Sequence, residues 1–79
     1  MMLEYKYMNS DSNGNKNSKD LGERVKTARE KLGMTQADVA KKSKMTVNYY
    51  AMIERGEVNP SFNKLQSLAK TLGIKLEIS

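Results

Sequence analysis

Apolar side chains recur at helical spacing in residues 20–32, where they fall at positions i, i+4, i+7 and i+11 of one face. Asp20 and Glu23 stand three residues apart, which is the spacing of a capping box and favours a helix start at Asp20. Gly33 follows the last apolar position and tolerates the left-handed conformation in which many helices end. The pattern predicts a first helix over residues 20–32. Its core-facing stripe is expected to contain Leu21, Val25, Ala28 and Leu32.

Two short helices are predicted next, and each begins at a threonine that can act as an N-cap. The first covers residues 35–43, contains small apolar residues, and has Asp38 three positions after its threonine. The second covers residues 46–55, in which Tyr50 and Ile53 lie three positions apart and are expected to face the core. Two short helices joined by a tight turn are typical of a helix-turn-helix.

A fourth helix and a strand complete the predicted elements. Pro60 excludes a helix that continues from the third, and Ser61 offers a new N-cap for residues 61–72. The apolar face of this helix is expected to contain Phe62, Leu65, Leu68, Ala69 and Leu72. Residues 74–78 then alternate between apolar and charged side chains, which predicts a strand. The predicted fold class is all-α, with four short helices, a central helix-turn-helix and one short C-terminal β-strand.

The predicted strand has no pairing partner inside an all-helical domain, although its backbone groups need hydrogen bonds. Residues 3–8 also alternate and are one partner, and a second copy of residues 74–78 in a two-fold dimer is another. A strand that frays is the third alternative. Residues 9–18 contain no apolar side chain and are expected to be flexible. The chain is thereby divided into a flexible N-terminal extension, residues 1–18, and a helix-turn-helix domain with the strand, residues 19–79.

The composition argues against an enzyme. The 79 residues include no histidine, cysteine or tryptophan, so the usual general bases, nucleophiles and zinc ligands are absent. We therefore expect no catalytic residue, metal or cofactor. Fourteen Lys and Arg against nine Asp and Glu give a net charge of +5, which favours an anionic partner such as nucleic acid. No apolar run approaches the ~18 residues of a membrane span, and no signal peptide is evident, so a cytoplasmic protein with no membrane partner is expected.

Three motifs occur in the order and at the spacing of a known family. They are Leu21–Ala40 (LGERVKTAREKLGMTQADVA), Ile53–Gly56 (IERG) with Asn59–Ser61 (NPS), and Leu68–Gly73 (LAKTLG). In these motifs the chain resembles the lambda-repressor-like helix-turn-helix family of Cro/CI and xenobiotic-response-element type, over residues 20–73. The resemblance implies a DNA-binding domain whose helix 46–55 enters the major groove by its N-terminal end.

The pattern of that family, carried over position by position, implies two groups of contact residues. Residues expected to contact bases are Gln36, Thr46, Val47, Asn48 and Met52. Residues expected to contact the DNA backbone are Thr35, Tyr49, Arg55, Asn59 and Lys64. Asn48 can make a bidentate contact with adenine, and Val47 can pack on a thymine methyl group. Asn59 also has a purely structural interpretation, as a turn former before proline.

The resemblance also implies structural roles. An arginine in the first helix and a glutamate at the end of the third form a partly buried ion pair in the family, and Arg29 and Glu54 occupy these positions. The turn between the second and third helices usually carries glycine, whereas this chain has Lys44 there. A lysine in the left-handed conformation costs roughly 1 kcal/mol, so we expect a strained or altered turn. Ser43 occupies a place that is commonly apolar.

The implied function is that of a sequence-specific regulator of transcription that binds double-stranded DNA. We expect a repressor that binds as a homodimer to half-sites about 34 Å apart. The alternative is the antitoxin of a toxin–antitoxin pair, which would bind a toxin protein through the strand or the N-terminal extension and repress its own operon. A third hypothesis is an interaction module that binds no nucleic acid.

Overall fold

The computed structural model describes residues 14–75, with side chains from Ser18 onward. The four helices in this range are α1 (Gly14–Lys31), α2 (Gln36–Lys42), α3 (Val47–Glu54) and α4 (Phe62–Leu72). Both α3 and α4 pack against α1 and α2. The predicted all-α architecture with a central helix-turn-helix, formed by α2 and α3, is therefore confirmed. None of these helices combines the length and the apolar character that crossing a membrane requires.

One hydrophobic core joins the four helices. Its buried members are Leu21, Val25, Val39, Ala40, Tyr50, Ile53, Leu68 and Leu72. Tyr50 and Ile53 are fully buried, as their spacing predicted. Two apolar positions were wrongly assigned to the core: Leu32 is 53% exposed and Phe62 is also exposed. Leu32 follows the last residue of α1 and Phe62 is the first residue of α4, so both lie where the chain leaves the packed helix faces.

The N-terminal caps of α2, α3 and α4 agree with the sequence prediction. Thr35, Thr46 and Ser61 each accept a hydrogen bond from the backbone N–H three residues later. At Thr35 the capping box is complete, because the Oδ2 atom of Asp38 accepts a hydrogen bond from the Thr35 N–H at 2.9 Å. These side chains satisfy donors that the start of a helix otherwise leaves unpaired.

All four helices end in the same way, at a left-handed residue whose successor donates its N–H to a carbonyl five residues earlier. The left-handed residue is glycine after α1, α3 and α4. After α2 it is Lys44, with a φ of 58°, and the Met45 N–H bonds to the Ala40 carbonyl at 2.9 Å. The turn of the helix-turn-helix thus has the conformation that favours glycine while carrying a lysine.

The first helix begins earlier than the sequence predicts. A helix start at Asp20 is wrong, because α1 begins at Gly14 and Asp20 lies inside it. Residues 14–18 are helical, although their composition predicted a flexible stretch. Ser18 is fixed there by a hydrogen bond to Asn59, 41 positions away, and local composition gives no sign of such a contact. Residues 1–13 lie outside the described part of the chain, so the division into extension and domain stays a prediction.

The predicted C-terminal strand is not supported. No residue between positions 14 and 75 belongs to a strand, and residues 76–78 lie outside the described range. The Ile74 N–H donates to the Ala69 carbonyl at 3.1 Å, and the Lys75 carbonyl accepts a hydrogen bond from Arg24 Nη2 at 3.0 Å. Ile74 also packs against the core. Its backbone donor therefore completes the end of α4 instead of pairing in a sheet.

A close approach of two helices determines where α3 ends relative to α1. A Cβ atom on Gly22 would lie 2.5 Å from the carbonyl oxygen of Glu54 and 2.6 Å from that of Ile53. Such distances are far inside van der Waals contact, so only glycine permits the observed packing. The contact brings the C-terminal end of α3 directly against α1.

Candidate nucleic-acid interface

The N-terminal end of α3 presents an exposed surface. Thr46 caps the helix by accepting the Tyr49 N–H at 3.0 Å, and this fixes the direction in which α3 starts. Val47, at 45% exposure, and Asn48 then point away from the core, while Tyr50 on the opposite face is fully buried. The side chains that the resemblance assigned to bases at this end are therefore accessible together. An exposed amide beside an exposed branched apolar group suits the edges of base pairs.

The next turn of α3 is more enclosed. Met52 is half-buried, which leaves only part of its side chain for contact with a base. Tyr49 is also half-buried and packs against the core. The ammonium nitrogen of Lys64, from α4, lies 5.4 Å from the centre of the Tyr49 ring. This is a cation–π distance, so Tyr49 and Lys64, both assigned to phosphate contact, form one positively charged unit between α3 and α4.

The start of α2 has less capacity for phosphate than its sequence indicates. The Thr35 N–H could otherwise donate to a phosphate, but it donates to the Asp38 carboxylate at 2.9 Å. This hydrogen bond and the one to the Thr35 side chain lower the pKa of Asp38, so the carboxylate stays ionised. Its negative charge opposes a phosphate at the same place.

Gln36 connects the exposed surface to a buried ion pair. Its Nε2 atom donates to Glu54 Oε1 at 2.9 Å, and Gln36 itself is half-buried. Arg29 donates from Nε to Glu54 Oε2 at 2.6 Å and from Nη2 to Oε1 at 3.2 Å. The carboxylate thus takes one of the two amide protons of Gln36. The residue assigned to bases is partly engaged in holding α2 to α3.

The Arg29–Glu54 pair lies largely out of water, with side-chain exposures of 14% and 4%. Burial alone raises the pKa of Glu54, but the hydrogen bonds from Arg29 and Gln36 outweigh it and hold the pKa below its ordinary value. The Tyr50 hydroxyl is buried beside this pair and has no hydrogen-bond partner. Burial, followed by the nearby Glu54 carboxylate, raises the pKa of Tyr50, which therefore stays neutral. The arrangement ties α1, α2 and α3 together.

Arg55 follows α3 and is one of the residues that the resemblance assigned to the DNA backbone. In the structure it forms a two-pronged ion pair with Glu57, with Nε–Oε2 at 2.9 Å and Nη2–Oε1 at 3.0 Å. The hydrogen bond from Arg55 lowers the pKa of Glu57. Both side chains are exposed, so water screens the pair and a phosphate can compete for the guanidinium. Glu57 was missed by the sequence prediction, although its position two residues after Arg55 is a usable signal.

Asn59, in the loop between α3 and α4, is exposed, but its Oδ1 atom accepts a hydrogen bond from Ser18 Oγ at 2.6 Å. Ser18 belongs to the first helix and was also missed, and no sequence signal points to it. Lys41, Lys42 and Lys44 are exposed at the end of α2 and in the turn, close in sequence to the α3 N-terminus. The exposed α3 end is thus flanked by positive charge.

These elements define a helix-turn-helix protein, with an exposed helix start between cationic loops. The chain belongs to the lambda-repressor-like helix-turn-helix family, because a family model described as helix-turn-helix matches residues 25–78. It is 43% identical over 54 residues to the HTH-type transcriptional regulator DdrOP3 of Deinococcus deserti, across 68% of this chain and 42% of that protein.

A second relative is the immunity repressor protein of Bacillus phage phi105. The chain is 38% identical to it over 56 residues, which cover 71% of this chain and 39% of the repressor. The chain therefore spans about two fifths of the length of the curated relatives it matches. No solved structure gave a significant match.

Proposed function

We propose that this protein is a sequence-specific transcriptional repressor that binds double-stranded DNA. The observation that carries the proposal is the exposed N-terminal end of α3, where Val47 and Asn48 stand clear of the core. A helix that enters the major groove contacts base edges with residues of this end. Asn48 would pair with adenine, and Val47 would pack on a thymine methyl group.

Charge around the helix supports the same orientation. Arg55, Lys64, Lys44 of the turn and the two lysines at the end of α2 lie on the segments that flank α3. The whole chain carries a net charge of +5. Contacts to phosphates position a protein on DNA, whereas contacts to base edges provide specificity. In this proposal Tyr49, Arg55, Asn59 and Lys64 hold the DNA backbone, and Thr46, Val47, Asn48 and Met52 face the bases, with Thr35 and Gln36 at the edge of the interface.

Repression and dimerisation complete the proposal. The two relatives are named as a transcriptional regulator and an immunity repressor, which supports a repressor for this chain. One copy inserts one α3, so we propose a homodimer on a two-fold symmetric site with half-sites about 34 Å apart. The antitoxin hypothesis rested on the C-terminal strand and the N-terminal extension, and no feature of residues 14–75 favours it over a repressor.

The test is selection of bound fragments from a random pool of double-stranded DNA. Enrichment of a two-fold symmetric sequence that survives competitor DNA is the expected result. Asn48→Ala should then cost about 1–3 kcal/mol on the enriched site and little on unrelated DNA, because a base contact carries the sequence preference. Arg55→Ala should weaken binding to both, since phosphates are common to all sequences.

A control substitution on α4 shows whether a loss of DNA binding is specific to substitutions in and next to α3. Gln66→Ala removes an exposed amide from α4 and should bind DNA like the parent. If the pool yields no enriched sequence, or if Asn48→Ala and Arg55→Ala both bind like the parent, the proposed contact by α3 is wrong. The mass of the complex on the enriched site, measured by ultracentrifugation, gives the number of copies bound.

A further inference from the structure

Residues at the beginning of α1 contact the loop between α3 and α4, residues 55–61. The Oγ atom of Ser18 donates to Asn59 Oδ1 at 2.6 Å, and Ser18 is only 5% exposed. Next to it, Lys19 packs against Gly56: a Cβ atom on Gly56 would lie 2.6 Å from Lys19 Cγ and 2.9 Å from Lys19 Cα. Two consecutive residues of α1 therefore contact the loop at two positions, Gly56 and Asn59.

The hydrogen bond from Ser18 determines which way the Asn59 amide faces. A side-chain amide has one carbonyl oxygen, which accepts, and one NH₂ group, which donates. Because Ser18 takes the oxygen, the NH₂ group of Asn59 is directed away from Ser18, and Asn59 is exposed. A DNA phosphate only accepts hydrogen bonds, so this orientation is the one that binds it.

Ser18 lies outside the part of the chain that the family model matches, which begins at residue 25, whereas its partner Asn59 lies inside it. The family match therefore says nothing of Ser18. We propose that Ser18 is a positioning residue for DNA binding: it orients Asn59 so that the amide NH₂ group meets a phosphate of the DNA backbone. The inference rests on the proposed function and adds to the interface a segment that the resemblance does not cover.

The test compares Ser18→Ala, Ser18→Thr and Asn59→Ala on two duplexes, the enriched site and a duplex of unrelated sequence. Ser18→Ala should weaken binding to both by the same factor, about threefold to tenfold, which corresponds to one lost hydrogen bond. Ser18→Thr keeps the hydroxyl and should restore binding. In the Asn59→Ala background Ser18→Ala should have no further effect, because the group that it orients is gone. Thr27→Ala deletes an exposed hydroxyl from the same helix and is the control.

The substitution Asn59→Asp distinguishes an effect on DNA binding from an effect on folding. A carboxylate still accepts the hydrogen bond from Ser18, so the melting temperature should stay near that of the parent, but it has no donor for a phosphate. Binding to both duplexes should fall well below that of Gln66→Glu, which adds the same charge to an exposed position of α4. If Ser18→Ala fails to fold, this variant still tests the donor that the role of Ser18 requires, and binding like that of the parent would overturn that role.

The outcomes distinguish the two proposals. If the parent binds neither duplex, both the proposed function and the role of Ser18 are overturned. If the parent binds and Asn48→Ala loses preference for the enriched site, but Ser18→Ala or Asn59→Asp binds like the parent, only the role of Ser18 is overturned. If Ser18→Ala weakens DNA binding by the same factor in the parent and in the Asn59→Ala background, the role of Ser18 is also contradicted.

Discussion

Arg29 and Glu54 face each other in a two-pronged ion pair that joins the first helix to the end of the third, with Nε–Oε2 at 2.6 Å and Nη2–Oε1 at 3.2 Å. Arg29 also donates from Nη1 to the Met34 carbonyl at 3.0 Å. Because the pair is shielded from water, each charge depends on the other for compensation. The orientation of α3, which would carry the base contacts, is therefore linked to the stability of the domain.

Removing Arg29 should destabilise the protein strongly. Arg29→Ala leaves the Glu54 carboxylate without its main partner, and we expect a loss of about 3 kcal/mol in the free energy of unfolding. Urea unfolding followed by circular dichroism measures this. Lys26→Ala, at an exposed position of the same helix, should change the free energy by less than about 0.5 kcal/mol. Equal effects of the two variants would contradict a structural role for the pair.

The same pair predicts a dependence on pH. The pKa of Glu54 is lower in the folded protein than its ordinary value of 4.5, so the folded state holds its proton less tightly than the unfolded state. The stabilisation is therefore complete above pH 4.5 and is lost as the pH falls through the folded pKa. Urea unfolding of the parent and of Glu54→Gln, from neutral pH to about pH 3, should show the difference between them shrinking on acidification. A constant difference would contradict the prediction.

Glu57 should restrain binding to DNA. It pairs with Arg55 in the free protein and adds a negative charge to a loop that we propose to meet phosphates. Glu57→Gln should tighten binding to unrelated and enriched duplexes alike and steepen the slope of log affinity against log salt by up to about 0.9. Glu30→Gln removes an exposed carboxylate from α1 and should have a smaller effect. Unchanged or weaker binding by Glu57→Gln would show that Glu57 does not compete with phosphate.

Glycine in the turn between α2 and α3 should stabilise the protein. Lys44 has a φ of 58°, a conformation that costs a residue with a Cβ atom about 1 kcal/mol relative to glycine. Lys44→Gly should therefore raise the free energy of unfolding by about 0.5–1 kcal/mol. Lys26→Gly, in the middle of α1, should lower it by about 1 kcal/mol. Thermal and urea unfolding should show changes of opposite sign in the free energy of unfolding of the two variants. A destabilised Lys44→Gly would show that the Lys44 backbone is not strained.

Gly22 should resist the substitution that helix propensity favours. Alanine normally stabilises a helix by about 1 kcal/mol over glycine. At Gly22, however, the new Cβ atom would press on the carbonyl oxygens of Ile53 and Glu54, so Gly22→Ala should destabilise the fold by about 1–3 kcal/mol. Glu23→Ala, at the exposed neighbouring position, should be nearly neutral. A stabilised Gly22→Ala would mean that α1 and α3 can separate at no cost.

Much of this fold follows from patterns within short stretches of sequence. The caps at Thr35, Thr46 and Ser61 are local, since each hydroxyl bonds to an N–H three residues away. The inward positions of α3 follow from the helical period, as Tyr50 and Ile53 show. The sequence motifs also identified the family, which the match over residues 25–78 establishes. Features that depend on three or four neighbouring residues were thus accessible to prediction.

Other features depend on residues far apart in the chain, and the packing of the helices decides them. The start of α1 reaches Gly14, and Ser18 in its early turns is fixed by Asn59, a residue that composition could not connect to it. The segment after α4 is not a strand at Ile74 and Lys75, because the helix end, the core and Arg24 engage its groups. Gln36 was assigned from sequence to DNA alone, but its amide donates to the carboxylate of Glu54, which lies 18 positions away. A sequence shows which groups can donate or accept, whereas the partner of each group is determined by which surfaces the folded chain brings within about 3 Å.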